Sequence, residues 1–392
     1  MNGRTYTFED VERILASGDV GGRLSKDDLP TPALVLDLDA FEWNVHKMTG
    51  HARKSNRALR PHAKTHKCPE IARILVQAGA VGACAAKLSE AEVLASHGIG
   101  GLLVTAAVIG RHKIESAVRL AQRNRDIIFT VDDARNVRDL NDAAGTLDSK
   151  PQLRLNLAVD LLLCPRAGIP PGRPALELAK LIHSLPNSRF AGIQAYDPPA
   201  SHTQGFDTRK KRSCETMGLA VETRRLIERE GLECSLVTGG STGTYNIDSE
   251  IDGVTELQPG SFIFMDVQYS RIGGQDGSPV YRDFKNSLFV ITTVIHKRKG
   301  NAIVDAGVKS FSTDSPLFPE AKGVAGIAYS WAGDEYGRLD LSGASSDLDV
   351  GDRVDFVVPH CDPSVNLYDR IYGIRGDSVE TAWKITARGM SQ

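Results

Sequence analysis

The run from Arg60 to Lys67 reads RPHAKTHK and places two lysines and two histidines directly after a short apolar segment. A lysine in water is protonated and cannot attack a carbonyl, whereas desolvation and nearby positive charge lower its pKa and free the amine lone pair. Lys64 lies between His62 and His66 at the end of a predicted strand. The run therefore predicts a lysine of depressed pKa that forms an imine with an aldehyde; the alternative is a basic surface loop.

Two features elsewhere in the chain favour an imine-forming role for Lys64 over a surface loop. One is the glycine-rich run Gly239, Gly240, Ser241, Thr242, Gly243 and Thr244, whose composition suits a phosphate group. The other is the pair His360 and Asp362, two residues apart near the C-terminus. Together the three features suggest a phosphorylated aldehyde cofactor, a lysine that holds it and a metal ion. Taken singly, the loop is also compatible with an ordinary turn, and the pair with a simple ion pair.

The composition limits the class of partner. The chain has 392 residues, 47 basic and 49 acidic, and a formal net charge of −2. This balance creates no field that favours nucleic acid or an anionic membrane, so we expect a small-molecule substrate. We find no membrane-length apolar stretch and no basic-then-apolar leader, and the six cysteines are scattered without a Cys-x-x-Cys pair. These features predict a cytoplasmic protein in a reducing compartment.

The order of apolar runs predicts the fold. Between residues 33 and 265, short strand-like runs alternate with longer helical patterns, which is typical of parallel βα units. The predicted strands are 34–37, 59–64, 82–86, 102–105, 127–131, 153–159, 190–196, 235–238 and 262–265. Eight or nine such units match an α/β fold of the (β/α)8 TIM-like barrel type. An open doubly wound sheet is the alternative, but no Gly-x-Gly-x-x-Gly turn follows the first strand.

The remainder of the chain predicts a second domain. After about residue 285 the pattern changes to alternating β runs at 288–294, 302–304, 353–358, 371–374 and 381–385. We therefore predict a barrel at 31–285 and a mainly-β domain at 286–392, to which part of residues 1–30 can be added. In barrels, chemistry lies at the C-terminal ends of the strands. Lys64, Arg166, Tyr196 and the loop from Gly239 all follow predicted strands there.

Several blocks of the chain carry a family resemblance. They are TPALVLDLD from Thr31, RPHAKTHKCP from Arg60, KLSEAE from Lys87, GIQAY from Gly192, TELQPGS from Thr255, VDAGVK from Val304 and PHCDP from Pro359. In this order the chain resembles the D-threonine aldolases, D-3-hydroxyaspartate aldolases and D-serine dehydratases, which are fold type III pyridoxal-phosphate enzymes. The resemblance covers nearly the whole chain from Leu29 and implies an alanine-racemase-like barrel, a C-terminal mainly-β domain and a homodimer.

The resemblance also implies roles for the cofactor site. Lys64 would bond the aldehyde of pyridoxal 5'-phosphate, and the loop from Gly239 to Thr244 would hold the phosphate, completed by Gly260 and Ser261. Arg166 matches an arginine near the phenolic oxygen of the cofactor, which a permanent positive charge would keep ionised. Tyr196 matches a tyrosine near the cofactor ring; a tyrosine packed in the core is the alternative.

The same resemblance implies a metal site and a base. His360 and Asp362 match the metal pair of the family, which we expect on one side of an extended segment with Cys361 facing away. Dehydratase-like members have cysteine where Asp362 stands, so aspartate favours Mn²⁺ or Mg²⁺ over Zn²⁺. His202 lies six residues after Tyr196, where the aldolases place a histidine that accepts the β-hydroxyl proton; a histidine of near-neutral pKa suits that task.

Three stretches depart from the family pattern. The approach to Arg166 reads DLLLCPR and is one residue longer, Asp197-Pro198-Pro199 replaces a turn of small residues, and Ala106-Ala107 stands where many members have asparagine. We expect these departures to leave the cofactor site intact and to make the substrate pocket more apolar and stiffer.

The predicted activity is that of a pyridoxal-phosphate- and metal-dependent lyase. It would cleave a D-β-hydroxy-α-amino acid, of the D-threonine or D-3-hydroxyaspartate type, to glycine and an aldehyde or oxoacid. Three alternatives stay open at this point: a D-serine or 3-hydroxyaspartate dehydratase, an amino-acid racemase, and a pyridoxal-phosphate-binding protein without turnover.

Overall fold

The computed structural model describes residues 6–149, 151–345 and 347–392. Its strands, numbered along the chain, are β1 (Leu24–Ser25), β2 (Ala33–Asp37), β3 (Ala58–Leu59), β4 (Ala83–Ala85), β5 (Leu102–Val104), β6 (Ile128–Val131), β7 (Leu155–Asp160), β8 (Ser188–Ala195), β9 (Val237–Gly239), β10 (Glu256–Leu257), β11 (Leu288–Arg298), β12 (Asn301–Val304), β13 (Glu320–Ala321), β14 (Ala328–Trp331), β15 (Gly337–Asp340), β16 (Arg353–Val357), β17 (Arg370–Arg375) and β18 (Ser378–Lys384). Its α-helices are α1 (Phe8–Ser17), α2 (Leu38–Lys54), α3 (Pro69–Gln77), α4 (Leu88–Ser96), α5 (Arg111–Arg123), α6 (Ala134–Gly145), α7 (Arg173–Ser184), α8 (Pro198–Ser201), α9 (Phe206–Arg229), α10 (Tyr245–Asp248), α11 (Val267–Ser270) and α12 (Cys361–Val365). Short 3-10 turns span Lys26–Asp28, Ala63–Thr65 and Ser261–Ile263.

Eight parallel strands form the first sheet, in the order β3-β10-β9-β8-β7-β6-β5-β4. The two edge strands meet again, because the Val81 N–H donates to the Leu59 carbonyl at 2.9 Å and the Cys84 N–H donates to the Pro61 carbonyl at 2.9 Å. Helices from α2 to α9 occupy most of the connections between strands, as the alternating sequence pattern predicts. The predicted α/β class and TIM-like barrel are therefore confirmed.

The strand predicted at 59–64 is shorter than expected, because β3 covers Ala58–Leu59 and a 3-10 turn covers Ala63–Thr65. Two other predicted barrel strands are wrong in their sheet or type. Residues 33–37 do form a strand, but β2 pairs with β11 and β17 of the second sheet. Residues 262–265 are buried without forming a strand, and the last barrel strand is β10, just before Pro259. Both errors have one cause: an apolar run shows that a segment is buried but not which sheet it joins or whether it is extended.

The second sheet has ten strands, and most of its pairs are antiparallel. Its main path runs β1-β18-β17-β2-β11-β12-β15-β14, while β16 pairs with β11 and β13. The N-terminal segment contributes β1 and the helix α1, whose Val11 and Ile14 are buried in a small cluster with Val35, Phe289 and Ile374. The domain bounds at 31–285 and 286–392 remain predictions. Strand β2 lies inside the first of these ranges but pairs in the second sheet.

A buried polar network fixes the barrel strand that leads to Lys64. Two nitrogens of Arg60, just after β3, donate to the two carboxylate oxygens of Glu256 in β10, at 2.9 and 2.8 Å. The Thr238 hydroxyl of β9 donates to Glu256 at 2.6 Å, and the Gln258 amide donates to Thr238 at 2.8 Å. A buried ion pair is stable only when its remaining lone pairs are satisfied, and here strand neighbours satisfy them.

The helices contain no membrane-spanning candidate among the residues that the structure describes: none is both long enough and apolar enough to cross a bilayer.

Candidate active site

Lys64 lies in the 3-10 turn that follows β3, at the C-terminal mouth of the barrel. The turn begins at His62, whose ring nitrogen Nδ1 accepts the Lys64 N–H at 3.4 Å. The Lys64 ammonium lies 3.2 Å from Asp362 Oδ2 and 6.0 Å from the centre of the Tyr196 ring. The structure thus brings a lysine from the first sheet to an aspartate that precedes β17 of the second.

The predicted depressed pKa of Lys64 is wrong for this state of the protein. The charge of Asp362 raises the pKa of Lys64 above its ordinary value, and this effect outweighs the lowering by burial. Burial would raise the pKa of Asp362, but the charges of Lys64 and His360 overcome it and hold that pKa below its usual range. The sequence pattern could not reveal this counterion, because Asp362 is 298 positions away along the chain.

The neighbouring basic residues do not supply the positive charge that the sequence suggested. Burial lowers the pKa of His62 well below its ordinary value and that of His66 to about 3, so both rings are neutral near pH 7. Lys67 is occupied by an ion pair with Glu90. Lys64 is therefore the charged amine of this run that faces Asp362.

His360 and Asp362 lie at the start of a helix, and not on the extended segment that we expected. His360 is the N-cap of α12, and its carbonyl accepts the Ser364 hydroxyl at 2.7 Å. Pro363 in the first turn also favours helix over strand. His360 Nδ1 lies 2.7 Å from Asp314 Oδ2, which fixes the ring and leaves Nε2 for a metal ion.

The charges around His360 are those of a cation-binding site. Burial lowers the pKa of His360, but the carboxylates of Asp362, Asp266 and Asp314 outweigh it, and the pKa is raised. No group of three or more His, Cys, Asp or Glu side chains is arranged for a metal within the described ranges. The donor set here is one imidazole nitrogen and one carboxylate, so a divalent ion bound by these two residues would need further ligands from water or substrate.

The glycine-rich loop follows β9 and is built for close packing. Gly240 has φ +75°, and a Cβ there would lie 2.6 Å from Asp248 Oδ2. The Ser241 N–H donates to the Thr244 hydroxyl at 3.1 Å, and Thr244 donates to Asp248 at 2.5 Å. A buried carboxylate therefore holds the loop in shape, and burial raises the pKa of Asp248 to about 6.

This loop fits a phosphate group. In the described chain the N–H groups of Gly240 and Thr242 donate to no acceptor, although the side chains of Ser241, Thr242 and Thr244 are all buried. Thr242 Oγ1 accepts the Phe262 N–H at 2.9 Å, which leaves its own proton free to donate. Unpaired backbone donors in a glycine-rich turn are the usual ligands of a phosphate.

One cavity joins these parts. The space within it is small, about 20 Å³, and the predicted site residues that line it are Lys64, Tyr196, Ser241, Thr242, Gly260 and Ser261. Gly260 packs directly beside the lysine turn, since a Cβ there would lie 2.5 Å from Thr65 Oγ1. Thr65, Gln258 and Tyr269 also line the cavity and were not among the predicted site residues. Gln258 stands in the TELQPGS block, but nothing in its type marked it as a site residue.

Arg166 and Tyr196 lie next to each other. The guanidinium carbon of Arg166 is 5.6 Å from the centre of the Tyr196 ring, on which Lys64 also borders. A cation beside an aromatic ring at this distance is stabilising. The structure therefore groups the two residues with Lys64, and their roles toward the cofactor stay predictions.

His202 follows the short helix α8. Its ring centre is 4.6 Å from that of Tyr269, and its Nδ1 is buried without a hydrogen-bond partner in the described residues. Burial, followed by the positive charges of His360 and Lys64, lowers the pKa of His202 to about 4. The expected near-neutral pKa is wrong: the imidazole is neutral at pH 7 and keeps a free lone pair in the site.

Two of the stretches that depart from the family pattern contain a carboxylate, and the expected apolar, stiffer pocket stays a prediction. Asp197 is buried, and Arg212 of α9 donates to both of its oxygens at 2.8 and 3.2 Å. Asp160 ends β7 and accepts from the Gln194 amide at 2.9 Å, while burial raises its pKa to about 7. The ion pair with Arg212 stabilises the buried Asp197 carboxylate in a stretch that the sequence predicted to be apolar and stiff.

Comparisons with known proteins agree with this geometry. The pattern of the family described as alanine racemase, N-terminal domain, matches residues 36–268, and that of a putative serine dehydratase domain matches 287–374. A 3-hydroxy-D-aspartate aldolase of Paracoccus denitrificans (strain Pd 1222) is 36% identical over 93% of this chain and 94% of its own length. The crystal structure of a D-threonine aldolase from Filomicrobium marinum superposes with a TM-score of 0.89 at 37% identity, covering 95% of this chain and 99% of that one.

A more distant relative has a different activity. The D-threo-3-hydroxyaspartate dehydratase of Delftia sp. (strain HT23) is 27% identical over 83% of this chain and 87% of its own length. The family resemblance found in the sequence is thus confirmed, and the aldolases are more similar to this chain than this dehydratase.

Proposed function

We propose that this chain, which belongs to the alanine racemase N-terminal domain family, is a lyase that cleaves a D-β-hydroxy-α-amino acid to glycine and an aldehyde or oxoacid. The observation that carries the proposal is the meeting of Lys64 with Asp362 beside the phosphate-type loop, close enough to His202 for both charges to act on it. Relatives named 3-hydroxy-D-aspartate aldolase and D-threonine aldolase, at 36% and 37% identity over nearly the whole chain, support this reaction class.

The cofactor that suits this site is pyridoxal 5'-phosphate. When bound, its ring system supplies an electron sink for the charge left on Cα when the Cα–Cβ bond breaks. Lys64 would bond its aldehyde, the loop Gly239–Thr244 with Gly260 and Ser261 would hold its phosphate, and Arg166 and Tyr196 would lie near its ring. The unpaired N–H groups of the loop are the structural support for this assignment.

We also propose a divalent metal ion, Mn²⁺ or Mg²⁺ in preference to Zn²⁺, held by His360 and Asp362. Asp314 supports this role because it orients the His360 ring through Nδ1, as carboxylates commonly do for metal-binding histidines. Oxygen ligands and a single imidazole favour a hard ion over zinc.

His202 is the group proposed to take the proton of the substrate β-hydroxyl. Retro-aldol cleavage requires that hydroxyl to lose its proton while the Cα–Cβ bond breaks. His202 is neutral, lies among the charges of His360, Lys64 and Asp362, and packs against Tyr269, which limits the movement of the ring. A neutral, half-buried imidazole can accept a proton close to the site where Asp362 and His360 would hold the cation.

The proposal includes a cytoplasmic homodimer that acts on small amino acids and not on nucleic acids or membranes. The near-zero net charge of −2 supports the small-molecule substrate. The family resemblance supports the dimer.

Product analysis tests the reaction class. We expect the purified protein, supplied with pyridoxal phosphate and Mn²⁺, to convert D-threonine or D-3-hydroxyaspartate to glycine and the matching carbonyl compound. Ammonia and a 2-oxoacid would show a dehydratase instead, and Cα epimerisation without cleavage a racemase. Absence of turnover across a panel of D-β-hydroxy-amino acids would favour a cofactor-binding protein.

Replacing Lys64 with alanine tests the attachment of the cofactor. The variant should lose the visible imine absorbance and the borohydride-reducible adduct, because no amine remains to bond the aldehyde. Lys211→Ala on the exposed face of α9 is the control and should keep both signals. An unchanged spectrum for Lys64→Ala would place the attachment elsewhere.

Alanine at His360 or Asp362 tests the metal site. Both variants should retain the cofactor absorbance but lose Mn²⁺ binding in calorimetry, together with activity. Asp314→Ala should weaken Mn²⁺ binding by about 10- to 100-fold, since it removes the partner that orients His360. The exposed Asp334→Ala serves as a control. Wild-type Mn²⁺ affinity in both His360→Ala and Asp362→Ala would refute this site.

His202→Ala tests the proposed base. We expect kcat to fall by about 10²- to 10⁴-fold, while cofactor affinity stays unchanged, since the residue acts on the substrate hydroxyl. His183→Ala, at the exposed end of α7, is the matched control. A wild-type rate of cleavage in single-turnover measurements would make His202 a bystander.

A further inference from the structure

Arg209 in α9 is completely buried, at 0% exposure, and its guanidinium is surrounded by backbone carbonyls. Its four hydrogen bonds go to Gly243 O at 2.8 Å, Thr203 O at 3.0 Å, Ile272 O at 2.7 Å and Gly273 O at 2.9 Å. No carboxylate of the described chain forms an ion pair with it. The Asp283 carboxylate acts on it only from a distance. Burying a charge without a direct ion pair costs free energy, so this arginine requires an explanation beyond packing.

The carbonyls around Arg209 belong to three segments that meet at the proposed site. Gly243 is part of the phosphate-type loop, Thr203 directly follows His202, and Ile272 and Gly273 follow α11. The segments also touch one another without Arg209. A Cβ on Gly243 would overlap the Ser201 carbonyl, and the Gly205 N–H donates to the Ile272 carbonyl at 2.9 Å.

Tyr281 provides a second link between Arg209 and the loop. Its ring centre lies 5.8 Å from the guanidinium carbon, and its hydroxyl donates to the Thr242 carbonyl at 2.7 Å. The ring of Phe206 lies 5.6 Å from the same carbon. The guanidinium is thus held between aromatic faces and carbonyls in one orientation.

We propose that Arg209 is a positioning residue that couples the phosphate loop to the His202 segment and adds positive charge behind the phosphate site. A phosphate monoester dianion is the ligand that this cation would attract, whereas the four carbonyls solvate the cation without neutralising it. The inference rests on the proposed function for the identity of the phosphate ligand and for the role of His202.

Binding of two aldehydes that differ only in the phosphate separates this role from ordinary structural support. Pyridoxal phosphate and pyridoxal are titrated into the full-length protein, and their dissociation constants are compared in the wild type, Arg209→Met and Arg209→Lys. The control is Arg224→Met on the same helix, where Arg224 pairs with Glu228 and binds the Gly253 carbonyl, remote from the loop. Circular dichroism of each apoprotein checks its fold.

We expect Arg209→Met to weaken pyridoxal phosphate binding by about 10- to 100-fold, the range for a lost charge-assisted interaction. Pyridoxal binding should stay at the wild-type value. At saturating cofactor, kcat should fall without a rise in KM, because His202 is displaced and substrate contacts are not. Arg209→Lys keeps the positive charge but loses the planar guanidinium that binds four carbonyls. It should therefore recover part of the preference for pyridoxal phosphate over pyridoxal, and a smaller part of kcat.

Two results would overturn the inference. One is wild-type binding of both aldehydes by a folded Arg209→Met; the other is equal weakening of both, which leaves the ratio of the two dissociation constants unchanged and would indicate general loss of structure. If Arg209→Met does not fold, the ratio and kcat of Arg209→Lys decide in the same way. Failure of the wild type to bind pyridoxal phosphate would instead refute the proposed function, so the two failures are distinguishable.

Discussion

The contact between Lys64 and Asp362 is the interaction on which the site depends. Lys64 follows β3 of the first sheet, and Asp362 lies in α12 between β16 and β17 of the second, so the site exists only where the barrel mouth and the second sheet meet. Their opposite charges stabilise each other at a place where either one alone would be costly to bury. The same contact places the amine beside the proposed metal pair, so cofactor attachment and metal binding occupy one small volume.

The histidines around this contact differ in protonation state. The histidines of the lysine run are neutral because they are buried, and Lys67 is paired with Glu90. His360 is the exception, because three carboxylates raise its pKa. Burial and neighbouring charge thus give imidazoles in one region different protonation states, and the neutral His202 is the one left with a free lone pair.

Much of the architecture was predictable from the sequence, since strand-like runs alternate with helical ones and Lys64, Tyr196 and the Gly239 loop each follow a strand. The sheet to which residues 33–37 belong could not be predicted, because their pairing partners are distant along the chain. The predicted pKa of Lys64 was wrong for the same reason, because its counterion Asp362 is far away along the chain. Arg209 carried no motif, and only burial and its four carbonyl contacts single it out.

Helix α9 explains how the departures at residues 197–199 are compatible with a working site. Arg212 pairs with Asp197 at the start of the segment, and Arg209 binds the Thr203 carbonyl at its end, so one helix holds both ends. Pro198 begins the short helix α8 between them and restricts its backbone. His202 is therefore positioned by a rigid turn fixed at two points, and a change in the intervening side chains can alter the substrate pocket without releasing the imidazole.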